Sequence, residues 1–103
     1  MASESMIDKL TDELEFIERH IRMLKVTKEN QPIGIIRLSE ILDMPKHKVR
    51  YSLRMLEQEG LINPTTDGAT VTEKYDSYMK EMSEKLQYIV EMVERLKRQL
   101  ETI

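Results

Sequence analysis

A chain of 103 residues has room for one domain, and a domain of that size buries only a modest core unless a partner chain adds to it. Charged residues make up 34% and hydrophobic ones 40%, with four Tyr, one Phe, no Trp and a formal net charge of -3, the balance of a helical intracellular protein. Cys is absent, which excludes disulfides, thiolate metal sites and cysteine nucleophiles. No apolar run approaches the roughly 20 residues that span a bilayer, and the opening "MASESMIDKL" lacks the basic-then-apolar order of a signal peptide, so no membrane partner and a cytoplasmic location are expected.

The first predicted element is a helix from about Ser5 to Lys28. Ile7, Leu10, Leu14, Ile17, Ile21 and Leu24 alternate steps of three and four, which places an a/d stripe along one helix face. Ser5 with Asp8 forms a capping pair at its start, and Asn30 with Pro32 ends it. His20 falls at a g position of this pattern and is expected to be solvated or interfacial rather than a ligand or a base.

Between residues 31 and 72 the elements shorten. "QPIGII" (31–36) suits a turn and a short strand, and "IRLSEILDM" (36–44) a helix of about two turns carrying Ile36, Leu38, Ile41 and Leu42. Pro45 holds Met44 extended and is well placed at the first position of a further helix, from about Pro45 to Glu59. Gly60 supplies the left-handed residue that ends it, and Leu61 the apolar contact that follows. "LINPTTDGATVT" then reads as two short extended runs, 61–63 and 69–72, around a turn rich in Pro, Thr, Asp and Gly.

The last predicted element is a second heptad helix over 73–103. Its stripe is Tyr75, Met79, Met82, Leu86, Ile89, Val93, Leu96, Leu100 and Ile103, with Thr70 or Thr72 as the expected cap and Glu73 favouring the positive end of the dipole. About 30 residues at 1.5 Å each make roughly 45 Å, more than the middle of the chain can cover. An intramolecular hairpin with the first helix is one answer. A homodimer is the stronger one, because Leu86, Ile89, Val93, Leu96, Leu100 and Ile103 are each worth roughly 1.5–3 kcal/mol if fully buried. Val90 and Met92 widen the apolar face at e and g positions, which suggests that more than two helices meet.

Charge is unevenly spread. Residues 1–30 hold five Lys or Arg against seven acids, residues 31–72 five against five, and residues 73–103 six against seven. The middle is neutral only in sum, since Lys46, Lys48, Arg50 and Arg54 stand together while Glu40, Asp43, Glu57, Glu59 and Asp67 lie outside them. Such segregation creates a local positive field within an acidic chain.

The order helix, strand, helix, short turn, helix, hairpin, helix, with "LSEILDMPKHKVRYSLRMLEQEGLI" inside it, resembles the winged helix-turn-helix family of DNA-binding regulators, most closely its small archaeal and bacterial forms that dimerise through long helices. The resemblance spans about residues 31–74. It covers "LSEIL", the turn at Asp43 to Pro45, the inward Val49, Leu53 and Leu56, the exit "LEQEGLI" and the re-entry "TVTEK". It implies a mainly α fold with an α+β wing, a winged helix-turn-helix flanked by long N- and C-terminal heptad-patterned helices. With the heptad patterns on either side, the chain divides into an N-terminal helix (1–30), a winged core (31–72) and a coiled-coil dimerisation helix (73–103), and the resemblance places the helix from Pro45 to Glu59 in the DNA major groove.

The residue types fit that role. At 100° per residue Val49, Leu53 and Leu56 lie within about 60° of arc, as a core face. His47, Tyr51, Arg54 and Gln58 fall opposite, with Lys48 and Arg50 on the flanks. Arg50 and Arg54 suit bidentate contact with guanine, Gln58 pairing with adenine, and Lys46 and Lys48 phosphate contact near the helix start. The wing carries no cation. Asp67 disfavours phosphate there, leaving Thr65 and Thr66 to offer hydroxyls.

The expected function is that of a transcriptional regulator binding double-stranded DNA sequence-specifically as a homodimer. The alternatives are a protein-interaction adaptor built on the winged module and a DNA-architectural protein of low specificity. A solvated outer helix face is the plainest competing account of the basic stretch, but such a face usually mixes Glu with Lys for i,i+4 pairing, as both long helices do. No glycine-rich phosphate loop, nucleophile motif or cluster of His and carboxylates points to an enzyme or to a cofactor. The Met residues read as core and seam, with a pocket lined by Met79, Met82 and Met92 a lesser reading.

Overall fold

The computed structural model describes residues 5–102; Ile103, counted above in the apolar stripe, lies outside the described residues. The architecture is mainly helical α+β: α1 (Met6–Asn30), α2 (Ile35–Leu42), α3 (Lys46–Gln58), an antiparallel hairpin of β1 (Ile62–Thr65) and β2 (Gly68–Val71), and α4 (Tyr75–Glu101). The chain separates into two compact units, one ending at Glu73 and the other beginning at Lys74. Among the described residues no helix is long and apolar enough to cross a membrane.

The start of α1 is the predicted capping box: the Asp8 N–H donates to Ser5 Oγ (3.2 Å) and the Ser5 N–H to Asp8 Oδ2 (3.4 Å). At its other end Gln31, preceding Pro32, is already extended. The helix buries its heptad stripe only at the C-terminal end, where Leu24 is enclosed; Leu14, Ile17 and Ile21 are half-buried. Ile7 and Leu10 are exposed, whereas His20, Met23, Leu24 and Thr27 are the buried positions, an i, i+3, i+4, i+7 face rotated from the stripe toward α2 and β2. His20, expected in solvent or at an interface, is therefore a core residue, because this face of α1 packs on the short elements.

The strand expected in "QPIGII" is reduced to one residue. Ile33 bridges Ala69 of β2, donating to its carbonyl (3.1 Å) and accepting from its N–H (2.8 Å), and α2 begins two residues later behind Gly34. Both short helices end in the same device. At α3 the Gly60 N–H donates to the Glu57 carbonyl (3.0 Å) and the Leu61 N–H to the Leu56 carbonyl (2.9 Å), with Gly60 at φ 77°. At α2 the Asp43 and Met44 N–H groups reach Glu40 (3.3 Å) and Ser39 (3.1 Å), and Asp43 takes the left-handed position at φ 52°. Pro45 precedes α3 as its extended N-cap rather than opening the helix.

The hairpin pairs Ile62 with Val71, Asn63 with Thr70, Pro64 with Ala69 and Thr65 with Gly68. Gly68 lies at φ 134°, and a Cβ there would stand 2.7 Å from the backbone of Ile33, so the bridge demands glycine. The Val71 N–H donates to Gln31 Oε1 (2.9 Å), tying β2 to the end of α1. Thr72 does not cap α4, as expected of it or Thr70. Its hydroxyl donates to the Gly60 carbonyl (2.6 Å) and its N–H to the Leu61 carbonyl (3.0 Å), so it closes the hairpin, while Thr70 lies within β2 and Lys74 occupies the cap position.

The core of the first unit gathers the second half of α1, α2, α3 and the hairpin, with Met23, Leu24, Leu38, Val49 and Leu56 fully enclosed. In α4 no residue is buried; Leu86 and Ile89 are half-buried, while Val93, Leu96 and Leu100 are 40%, 54% and 85% exposed.

Candidate nucleic-acid interface

Helix α3 is fixed from below. Val49, Ser52, Leu53 and Leu56 are buried, and the helix packs against α2, which precedes it across the Asp43–Pro45 turn, and against β1. With that face anchored, the helical period leaves Lys46, His47, Lys48, Arg50, Tyr51, Arg54 and Gln58 exposed. No acid interrupts residues 46–56 of this helix. Among the described residues neither Lys46 nor Lys48, Arg50 or Arg54 joins an ion pair, in contrast to Lys85, which pairs with Glu81 (3.0 Å) on α4. Four unpaired cations on a rigid helix make a field that attracts anions, and the N–H groups at the helix start add to it.

The hairpin contributes less. Thr65 Oγ1 donates to the Gly68 carbonyl (2.6 Å) and accepts from the Asp67 N–H (3.2 Å), so its hydroxyl is engaged in shaping the turn. Thr66 and Asp67 are exposed at the tip. A cleft of about 330 Å³ lies between this hairpin and α3, with Glu57 and Asp67 as its charged walls and Ile33, Leu53 and Ala69 among its apolar ones.

A second cleft, of about 450 Å³, opens on the other part of α3. It is lined by Phe16 and Arg19 of α1 and by His47, Lys48, Tyr51 and Ser52 of α3. Arg19 stacks over the Phe16 ring, 5.6 Å from its centroid, and the His20 ring leans on the same phenyl at 4.2 Å. Sequence reasoning does not single out Phe16 or Arg19, since both stand off the heptad stripe. Their i,i+3 pairing of an aromatic with a cation beside that stripe is the signal that was available.

Behind this cleft His20 is 4% exposed, and its Nε2 and the Thr27 Oγ1 are buried without a hydrogen-bond partner among the described residues. Burial lowers the His20 pKa, with the Glu59 carboxylate opposing and the Arg19 guanidinium adding to that shift. Among the described residues no group of three or more His, Asp or Glu is arranged to hold a metal ion.

The stripe proposed for dimerisation is on α4. Leu86, Ile89, Val93, Leu96 and Leu100 lie along one face, with Val90 and Met92 beside it, 46% and 37% exposed. Exposed apolar residues grouped in this way are uncommon on a monomeric surface.

The fold so defined is a mainly helical α+β arrangement of four helices and one hairpin. It is similar to the crystal structure of RV1404 from Mycobacterium tuberculosis, with a TM-score of 0.54 and 18% sequence identity over 90% of this chain and 82% of that one. At that identity the likeness concerns the fold. Compared by sequence, the chain matches no protein family model and no curated protein.

Proposed function

We propose that this protein is a winged helix-turn-helix regulator of transcription that binds double-stranded DNA sequence-specifically as a homodimer in the cytoplasm. The observation that carries this reading is the one-signed outer face of α3. Lys46, Lys48, Arg50 and Arg54 are exposed without ionic partners, on a helix whose other face is locked into the core. In this reading α2, the Asp43–Pro45 turn and α3 are the helix-turn-helix, and the β1–β2 hairpin is the wing.

The roles follow from donor geometry. Arg50 and Arg54 read guanine O6 and N7, Gln58 and His47 reach neighbouring base edges, and Lys46 and Lys48 hold phosphates that set the register. Tyr51 and the hydroxyl of Thr66 add polar contacts at the margins, while Thr65 acts through the shape of the turn. Each protomer brings few cations, so useful affinity requires two half-sites, and the α4 stripe of a second copy supplies the spacing between them. No cofactor and no catalytic step enters this function.

The test is a salt titration of binding to duplexes of varied sequence, with sedimentation analysis of the same protein. The parent should bind as a dimer with affinity that falls steeply with salt. Arg50→Ala with Arg54→Ala should cost about 1–3 kcal/mol per lost base contact and flatten discrimination among duplexes. Leu96→Glu should yield a folded monomer with much weaker DNA binding. Equal affinity for every duplex would turn the reading into the architectural role. A well-folded dimer that ignores DNA at low salt would refute it in favour of the adaptor.

A further inference from the structure

The two clefts beside α3 have opposite chemistry. The one at the hairpin has Glu57 and Asp67 as its charged walls and no cation among its lining residues, so it repels phosphate. The one at α1 is lined by Arg19, Lys48 and His47, two aromatic rings and a buried serine, and no carboxylate takes part in it. In the chain only about 30 residues separate Arg19 from Lys48; the packing of α1 within the same compact unit brings them to one opening.

Resting on the DNA-binding reading, we infer that this cleft seats one sugar–phosphate unit of the DNA backbone, with Arg19 of α1 as a phosphate ligand alongside Lys48 and His47. Arg19 suits the task on three counts. Its stem is half-buried and its guanidinium is stacked over Phe16 at 5.6 Å, so little side-chain freedom remains to be lost on binding. No carboxylate pairs with it among the described residues, which leaves its fork of donors open to two phosphate oxygens. The first turn of α3, directly across the cleft, presents Lys48 and His47 together with the positive end of the helix dipole.

The aromatic rings explain why the cleft is wider than a phosphate needs. Tyr51 is 56% exposed, and its ring and the edge of Phe16 offer apolar walls to the carbon atoms of a deoxyribose. Glu15 lies one turn before Arg19 and is exposed, but it does not line the cleft, so the anion site is confined to the Arg19 end of that face. The consequence is an interface that extends past α3 onto α1. The added contact is blind to sequence, because a phosphate is the same at every base pair.

The experiment compares the full-length parent with Arg19→Met, which keeps the apolar stem on Phe16 and removes the charge, and with Arg19→Lys, which restores a charge without the fork. Affinity for duplex DNA is measured against salt on several sequences, with thermal unfolding of each variant alongside. Arg19→Met should lower the slope of log K against log salt by about 0.9 per protomer, or about eightfold in affinity at 0.1 M salt, by the same factor on every duplex. Arg19→Lys should recover most of the slope. A slope and affinity unchanged in Arg19→Met, while Arg50→Ala and Arg54→Ala still lose binding, would overturn this inference and leave the DNA reading standing. A loss that differs among duplexes would equally overturn it, since that is the signature of a base contact. Absence of DNA binding in the parent would remove both. If Arg19→Met unfolds at the assay temperature, the slope of Arg19→Lys against that of Arg19→Gln decides in the same way.

Discussion

Helices α3 and α4 are both amphipathic, and among the described residues each leaves a different kind of face exposed. In α3 the apolar face is enclosed, through Val49, Leu53 and Leu56, and the unpaired remainder is a run of cations. In α4 nothing is buried; its charges are mixed in sign, with Glu81 and Lys85 paired at i,i+4, and the unpaired remainder is a row of Leu, Ile and Val. A run of like charges attracts the opposite charge and an exposed apolar stripe another apolar surface, which is why the proposed function gives the two helices different partners. The comparison also separates stability from function. On α3 the face that holds the fold and the face proposed to hold DNA are different residues.

That separation is tested hardest at Leu56, which is fully enclosed. Leu56→Ala should cost about 2–5 kcal/mol of stability in the first unit, read by chemical denaturation. The surviving folded fraction should keep the salt slope of the parent, because no cation has moved. The mirror variant, Arg54→Ala, should change stability by less than about 0.5 kcal/mol while weakening DNA binding. If Leu56→Ala alters the slope in folded protein, the two faces are not independent and the comparison fails.

How much of this was legible in the sequence depended on whether the signal was local. The limits of α3 were readable within a residue because Pro45 and Gly60 punctuate the chain, and Gly60 does adopt the left-handed geometry that ends the helix. The capping box of Ser5 and Asp8 and the position of the hairpin around Asp67 and Gly68 were equally local. What failed was set by tertiary contact. Thr72 had the right chemistry for a helix cap, but its hydroxyl was nearer the Gly60 carbonyl across the hairpin. Ile33 looked like part of a strand, yet its pairing among the described residues is a single bridge to Ala69. The heptad stripe of α1 hid a second face, His20, Met23 and Thr27, whose burial depends on elements downstream. Of the candidate interface, the exposed residues of α3 followed from its period alone, whereas Arg19 entered it only through packing.

A smaller effect should come from His20. Its pKa is lowered, chiefly by burial, while in the unfolded chain it titrates near 6.5. The unfolded state therefore binds more protons in the window just below pH 6.5, and stability must rise with pH across it. The contribution is complete above pH 6.5 and is lost as the pH falls through the lowered folded value. Thermal unfolding followed from pH 7.5 to pH 5 should show the midpoint dropping in the parent. The drop should be shallower in His20→Leu, which has no proton to gain. Equal slopes in the two proteins would mean that His20 can charge in place without leaving its stack on Phe16.

A small gain in stability, and the one that most sharpens the contrast between the helices, is expected at Lys46. Lys46, Arg50 and Arg54 stand at successive i,i+4 positions of α3, an arrangement in which like charges repel by roughly 0.2–0.5 kcal/mol per pair. Lys46→Glu replaces one repulsion by an attraction in the favourable order, acid before base, and puts a carboxylate at the positive end of the helix dipole. The protein should become more stable by roughly 0.5–1 kcal/mol at low ionic strength, with the gain shrinking in high salt. DNA binding should weaken in the same variant, as a phosphate contact gives way to a repulsion. On α4 the corresponding arrangement already exists in Glu81 and Lys85, so Lys85→Ala should lose no more than about 0.5 kcal/mol and leave DNA binding alone. Opposite charges paired on α4 and like charges left adjacent on α3 are what the proposed DNA-binding role of the α3 cations requires. If Lys46→Glu proved both more stable and unimpaired on DNA, that argument would lose its ground.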